Sequence, residues 1–247
     1  MIRYSAISEK GKRLENQDAI FADIKGQYAV FLVADGMGGH SHGEIASAAV
    51  RDAIKEWWES VLRMEQKPDI EEAETRCHDA IQRVNKELYQ KFASSGVIVG
   101  TTLVLLLVWE NKFATLSVGD SRIYRREGCE LECITVDDVW ENQAEIKEKM
   151  TAEQIENDSR FGKLVAAVGV YEEVDVHRHH GGLKKKDLFF LCSDGVYKYC
   201  DDVKMKKILC AFFIRNIDGK NKKIIEAIQR NGTKDNYSGI LCAIRAS

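Results

Sequence analysis

The sequence predicts an α+β fold in which antiparallel sheet is covered by helices. Apolar, strand-like runs mostly follow one another, and the helical stretches come in pairs, so strand and helix do not alternate regularly. The dipeptides Gly26-Gln27 and Glu110-Asn111 each separate two apolar runs, as two-residue hairpin loops do.

Taken in order, residues 2–8 read as a short strand, and 19–24 with 28–34 as the first hairpin. Ile45, Ala49, Ala53, Trp57 and Val61 recur every four residues. Ile70, Ala73, Cys77, Ile81, Val84, Leu88 and Phe92 step by three and four, giving two amphipathic helices with core-facing stripes. Pro68, the single proline, breaks the chain between them. Strands return at 102–109 and 112–118, then at 123–126 and 131–135. Residues 138–158 are polar and helix-prone and read as an inserted, mobile segment. Strands follow at 175–179 and 188–192, the latter wholly apolar and therefore central. Helices at 204–214 and 220–230 and a strand at 237–245 complete the chain.

The 247 residues suit one domain, and 45% apolar with 30% charged side chains allow a sizeable core. A net charge of −3 argues against a nucleic-acid or membrane-surface partner, each of which calls for a dominant basic face. The apolar run at 103–109 is too short to cross a bilayer, and the N-terminus has no apolar signal core, so the expected location is the cytoplasm. Seven cysteines, with no CxxC pair, read as reduced and mainly buried thiols, with a zinc site as the weaker alternative.

Chemistry concentrates in five aspartates. Asp35, Asp120 and Asp194 each follow an apolar strand, and Asp18 and Asp235 each precede one. With Gly26 and Gln27 as the loop, Lys25 pairs with Tyr28, and counting back sets Asp18 opposite Asp35. In antiparallel sheet, strand starts and strand ends share a rim, so the other three acids can meet there. Clustered carboxylates repel and need a positive partner. Arg13, Arg122 and Lys234 are the nearest basic residues in sequence. Divalent Mg²⁺ or Mn²⁺ suits an all-oxygen site better than zinc does. Two such ions ~3.5–4 Å apart form a common arrangement for phosphate-ester hydrolysis.

The segments RLENQD, ADGMGGHSHGEIAS, GTTL, VGDSRIYR, LVAAVG, LCSDG and TKDN, in this order, resemble the metal-dependent protein phosphatase family (PPM, or protein phosphatase 2C), and DGMGGH is similar to its bacterial stand-alone branch. The resemblance runs from about Arg13 to Ser238. It implies a four-layer sandwich, two packed antiparallel β-sheets flanked by pairs of α-helices, as one domain over 1–247 with a flap-like insertion at about 138–160. It implies that Asp35 bridges two Mn²⁺ or Mg²⁺ ions, that the Gly36 carbonyl binds one, and that Asp194 and Asp235 bind the other. Asp18 would hold metal-bound water, Asp120 with Asp194 a third and weaker ion, and Arg13 the substrate phosphate. The reaction implied is attack of a metal-bridging hydroxide on phosphoserine or phosphothreonine of other proteins, including those of a partner kinase. No Cys-x5-Arg loop surrounds Cys192, so a cysteine nucleophile is not expected.

Some residues depart from the family pattern. Gln17 stands where many members have glutamate, and Asp138 replaces a usual histidine at the base of the flap. His40 is a candidate proton donor to the leaving oxygen, although a loop histidine more often fixes local structure. His177 and His179 share a strand face, and the stretch is expected to be a solvated edge. Lys184 to Lys186 reads as a surface turn, and Trp57-Trp58 as core. Two other functions use the same residues: a catalytically silent regulatory member of the fold, and a small-molecule phosphatase.

Overall fold

A computed structural model describes residues 1–38, 42–94, 96–211 and 216–244. The strands are β1 (Ile2–Glu9), β2 (Asp18–Lys25), β3 (Tyr28–Gly38), β4 (Val99–Thr101), β5 (Leu103–Trp109), β6 (Lys112–Val118), β7 (Arg122–Glu127), β8 (Glu130–Cys133), β9 (His177–Gly182), β10 (Leu188–Cys192) and β11 (Tyr237–Ile244). The helices are α1 (Gly43–Arg63), α2 (Ile70–Phe92), α3 (Ala144–Lys149), α4 (Ala152–Glu156), α5 (Asp194–Tyr197), α6 (Asp202–Leu209) and α7 (Ile217–Arg230). All strand pairings are antiparallel, in a sheet ordered β1-β11-β10-β7-β8 and another ordered β2-β3-β5-β6-β9 with β4 attached to β3.

Side-chain alternation makes four layers of these elements. From β3 and β5, Val30, Leu32, Leu103, Leu105 and Leu107 face α1 and α2 and join Val50, Ile54, Cys77 and Ile81. The intervening Ala29, Phe31, Val33, Val104, Leu106 and Val108 face the other sheet and meet Phe189, Leu191, Ile240 and Cys242. Leu188, Phe190 and Leu241 point the opposite way, onto Met205, Leu209, Ile224 and Ile228 of α6 and α7. Strands covered on both faces need apolar residues at every position, which is why β5 and β10 read as unbroken apolar runs. Leu106, with no exposed surface, lies in the layer between the sheets. Leu106→Ala is expected to cost about 3 kcal/mol in urea unfolding, and a loss under about 1 kcal/mol would contradict a close-packed layer there.

The first hairpin has the expected register, with Lys25 opposite Tyr28 and Asp18 opposite Asp35. Gly26 takes φ +66°, a value glycine adopts without a side-chain clash. The break between the long helices also holds: Asp69, next to Pro68, caps α2 by accepting from Glu72 N at 2.8 Å. Trp57 and Trp58 are buried. Lys185 and Lys186 lie in the turn before β10, and β10 is the middle strand of its sheet.

Several boundaries differ from the sequence expectation. The strand expected at 175–179 runs from His177 to Gly182, because its pairing with β6 begins only at Ser117. It is an edge strand, yet His177 is bonded inward to Asp138. β4 and α5 were not expected, since three and four residues carry no periodicity. α7 starts at Ile217, capped by Asn216, and the helix expected at 204–214 is α6, which runs from Asp202 to Leu209; residues 212–214 lie outside the described residues. The segment after Asp138 forms a 3₁₀ turn at Trp140–Asn142, then α3 and α4, neither with a buried residue. Its base is fixed by buried Trp140 and by a β-bridge from Val139 to Leu164. Of the seven free thiols, Cys77, Cys192, Cys200 and Cys242 are buried, whereas Cys129 is exposed.

Candidate metal centre

Antiparallel pairing brings the ends of β3, β6 and β10 and the starts of β2 and β11 to one rim, with Asp18 and Asp35 inside β2 and β3 and Asp120, Asp194 and Asp235 just beyond β6, beyond β10 and before β11. Ladder pairing alone sets Asp18 against Asp35. Both Thr101 Oγ1 and Thr102 N donate to the Asp35 carbonyl at 2.9 Å, and Asp35 N donates to Thr102 Oγ1 at 3.0 Å. Thr102 Oγ1 in turn meets Ser121 Oγ at 2.7 Å, tying the Asp35 backbone to the turn that carries Asp120. The two threonines therefore hold Asp35, a role the sequence reading did not assign to GTTL.

Gly36 is packed where only glycine fits. A Cβ there would lie 2.2 Å from the Gly43 carbonyl oxygen, while Gly36 N donates to Gln17 O at 3.1 Å. The Gln17 carbonyl also accepts from Ser47 Oγ at 2.6 Å, so α1 is bonded to the chain just before Asp18. Asn236 completes the frame: its Oδ1 accepts from Gln17 N at 3.0 Å, and its Nδ2 donates to the carbonyls of Lys10 and Glu15 at 2.9 Å. Sequence reasoning missed this use of Asn236, because its partners lie more than two hundred residues away.

The carboxylates themselves are crowded. Burial, followed by the charges of Asp18, Asp194 and Asp120, pushes the Asp35 carboxyl well above its ordinary range. Burial likewise drives Asp18 up to about 6, against hydrogen bonds that favour its charge. One of these comes from Ser193 Oγ to Asp18 Oδ2 at 2.9 Å, and the buried Oδ1 has no hydrogen-bond partner among the described residues. Asp120 also rises to about 6 through burial and the neighbouring Asp194, with Tyr197 OH donating to its Oδ2 at 3.2 Å. Asp235 instead receives Arg13 in a two-pronged pair, Nε to Oδ1 and Nη2 to Oδ2, both at 2.9 Å. The hydrogen bonds to Asp235, then its charge, raise the Arg13 pKa, with Asp194 and Asp35 adding at longer range. All five aspartates and Arg13 thus share one electrostatic neighbourhood.

Lys198, overlooked in the sequence, is the basic residue nearest Asp194. Its ammonium lies 2.6 Å from Asp194 Oδ2 and 3.9 Å from Asp120 Oδ2. The i,i+4 spacing from Asp194 was the available signal. Arg122 is committed elsewhere, to Asp137 at 2.8 Å and across the Tyr197 ring at 3.8 Å. Asp138, standing in for the usual histidine, accepts from Gly119 N at 2.8 Å and bonds His177 Nε2 at 2.7 Å, which secures the turn before Asp120. His40 lies outside the described residues. Cys192 is fully buried, and burial raises its thiol well above the ordinary value, which disfavours the thiolate a nucleophile needs.

The donor set suits hard divalent ions. An orphaned buried oxygen and three carboxyls with raised pKa values describe a negative charge excess that a cation would relieve. No three acid, histidine or cysteine side chains among the described residues form a ready-made cage.

Two antiparallel sheets thus lie face to face between helix layers, with five aspartates gathered at one rim. The chain belongs to the protein phosphatase 2C family, whose sequence profile matches residues 8–228. It is similar to the serine/threonine phosphatase Stp of Listeria monocytogenes serotype 4b, at 30% identity over 230 residues, 92% of this chain and 88% of that protein. Its fold superposes on serine/threonine phosphatase Stp1 from Staphylococcus aureus with a TM-score of 0.86 at 28% identity, covering 100% and 96% of the two chains. On the catalytic domain of the phosphatase PstP in complex with two manganese ions, the TM-score is 0.80 at 25% identity, with 99% of each chain covered.

Proposed function

We propose that this chain is a metal-dependent serine/threonine protein phosphatase using two Mn²⁺ or Mg²⁺ ions at the aspartate rim. The observation that carries this reading is the crowded set of carboxylates at the rim: Asp18 and Asp120 are buried, Asp35 and Asp194 are half-buried, and the charge of Asp194 bears on the other three. Asp35 would be shared by both ions, with the Gly36 carbonyl on one and Asp194 and Asp235 on the other. Asp18 would orient bound water. When bound, the ions would lower the pKa of water and neutralise the phosphoryl oxygens.

The chain's own residues do the positioning. Thr101, Thr102 and Asn236 hold the backbone of the rim. Arg13 grips the substrate phosphate through the paired N–H groups that now hold Asp235, a geometry lysine does not offer. Its side chain is 59% exposed, so it can reach a phosphate on a protein surface. Residues 138–160 act as a flap beside the rim within one domain, and it is here that substrate preference differs from relatives. The substrates are phosphoproteins, including those of a partner kinase, in the cytoplasm. No helix among the described residues is long and apolar enough to cross a membrane.

The test is hydrolysis of a phosphothreonine peptide by purified protein. Turnover is expected with Mn²⁺ or Mg²⁺ and should vanish with a chelator; turnover independent of metal would overturn the reading. Proton competition gives a further expected result. Asp35, raised well above its ordinary range, and Asp18, near 6, must lose their protons for metal to bind, so the apparent Mn²⁺ affinity should be at least about ten-fold weaker at pH 5.5 than at pH 7.5. The stability sign follows from the same shifts. Folded values raised from 3.8 to about 6 stabilise the metal-free fold below about pH 4, and that contribution is lost as pH rises through 6. Thermal melts should therefore show a small Mn²⁺ gain at pH 5 and a large one at pH 7.5. Equal gains at both would contradict the proposed ligands.

A further inference from the structure

We propose that the Lys198 ammonium is a built-in cation in the position otherwise open to a third metal ion, so that this chain operates with two ions and resists a third. The inference rests on the two-metal reading above and concerns the Asp120–Asp194 pair beside it.

Lys198 reaches this position through local helix geometry. Its N–H donates to the Asp194 carbonyl at 3.0 Å, closing one turn that returns the side chain over Asp194. Nζ then lies 2.6 Å from Asp194 Oδ2 and 3.9 Å from Asp120 Oδ2. The neighbouring Tyr197 donates its hydroxyl to that same Asp120 oxygen at 3.2 Å. Tyr197 is itself held: the Arg122 guanidinium lies 3.8 Å from its ring centre and is fixed by two-pronged bonds to Asp137. Asp120 Oδ2 is thus aimed at the Tyr197–Lys198 turn from one side and Asp194 Oδ2 from the other.

The rest of the rim is arranged differently. Asp18 faces the Ser193 hydroxyl, and Asp35 faces other acids. Asp235 holds Arg13, which is needed at the phosphate. The Asp120–Asp194 pair alone, among the described residues of the rim, is spanned by an ammonium. A divalent ion entering between these two carboxylates would meet a like charge at close range, or would have to expel it into water. An ammonium has no lone pair with which to ligate that ion. By occupying one oxygen of Asp194, Lys198 leaves the other for the two-ion site and fixes the side chain's orientation toward it.

The experiment counts ions rather than turnover. Mn²⁺ is titrated into wild type, Lys198→Met and Lys198→Arg, and free Mn²⁺ is read by electron paramagnetic resonance. Wild type and Lys198→Arg are expected to take up two ions tightly and a third only weakly. Lys198→Met, which keeps the stem and loses the charge, should bind the third at least about ten-fold tighter. Adding Asp120→Asn to Lys198→Met should abolish that gain. Lys198→Gln serves in place of Lys198→Met if the latter melts below wild type. An unchanged third-ion affinity in a charge-removing variant with wild-type melting overturns the proposal. A wild type that takes up no tight pair overturns the two-metal reading, and this inference with it.

Discussion

Asp35→Asn should lower phosphopeptide hydrolysis by roughly a thousand-fold or more, the equivalent of about 4 kcal/mol, without unfolding the protein. Asp35 lies between Asp18, Asp194 and Asp120, where its own charge is opposed by burial and by all three neighbours. An amide removes that charge and can donate to the adjacent carboxylates. The metal-free variant should therefore melt at or above the wild-type temperature at pH 7.5, while the rise on adding Mn²⁺ disappears. Loss of activity and gain of metal-free stability are opposite in sign, which separates a metal ligand from a merely structural residue. A variant retaining a tenth of wild-type activity, with its Mn²⁺ response intact, would place the metals elsewhere.

Gly195→Ala is expected to be nearly as damaging, for a reason unrelated to charge. A Cβ on Gly195 would lie 1.9 Å from the Asn236 carbonyl oxygen and 2.9 Å from its carbon, and both are backbone atoms that cannot rotate away. The start of α5 and the start of β11 would have to separate, carrying Asp194 away from Asp235. A displacement of this kind costs about a hundred-fold in rate, and the strain about 3 kcal/mol of stability. Gly182→Ala is the matched control, since nothing lies within 4 Å of a Cβ there. It should change the melting temperature and turnover little. Similar melting temperatures for the two variants would show that the backbone contact at Gly195 is not tight.

The same contacts show which parts of the site can be read in one dimension. The Asp18–Asp35 pairing could be counted from a two-residue loop, because strand register has a period of two and the loop sets its origin. The wholly apolar β10 announced its central place, because a strand covered on both faces has no polar side to show. Lys198 was overlooked although its i,i+4 spacing from Asp194 was visible, since α5 is too short to show a helical period. The roles of Asn236 and Arg13 could not be counted at all. Asn236 bonds Lys10, Glu15 and Gln17, and Arg13 bonds Asp235, across more than two hundred residues. Asp138 departs from the family's usual histidine at the flap base, and its bonds to Gly119 and His177, which no local pattern announces, give that position a fixed carboxylate.

The sequence alone determined the kinds of element, the hairpin registers and the residue types available at strand ends, because periodicity and turn chemistry act over a few residues. Tertiary structure decided which ends meet, how deeply the acids are buried, and which cations stand beside them. Those quantities depend on distances between chain segments that only the stacking of two sheets between helix layers brings together. The charge excess at the rim, from which the metal reading follows, is a property of that stacking.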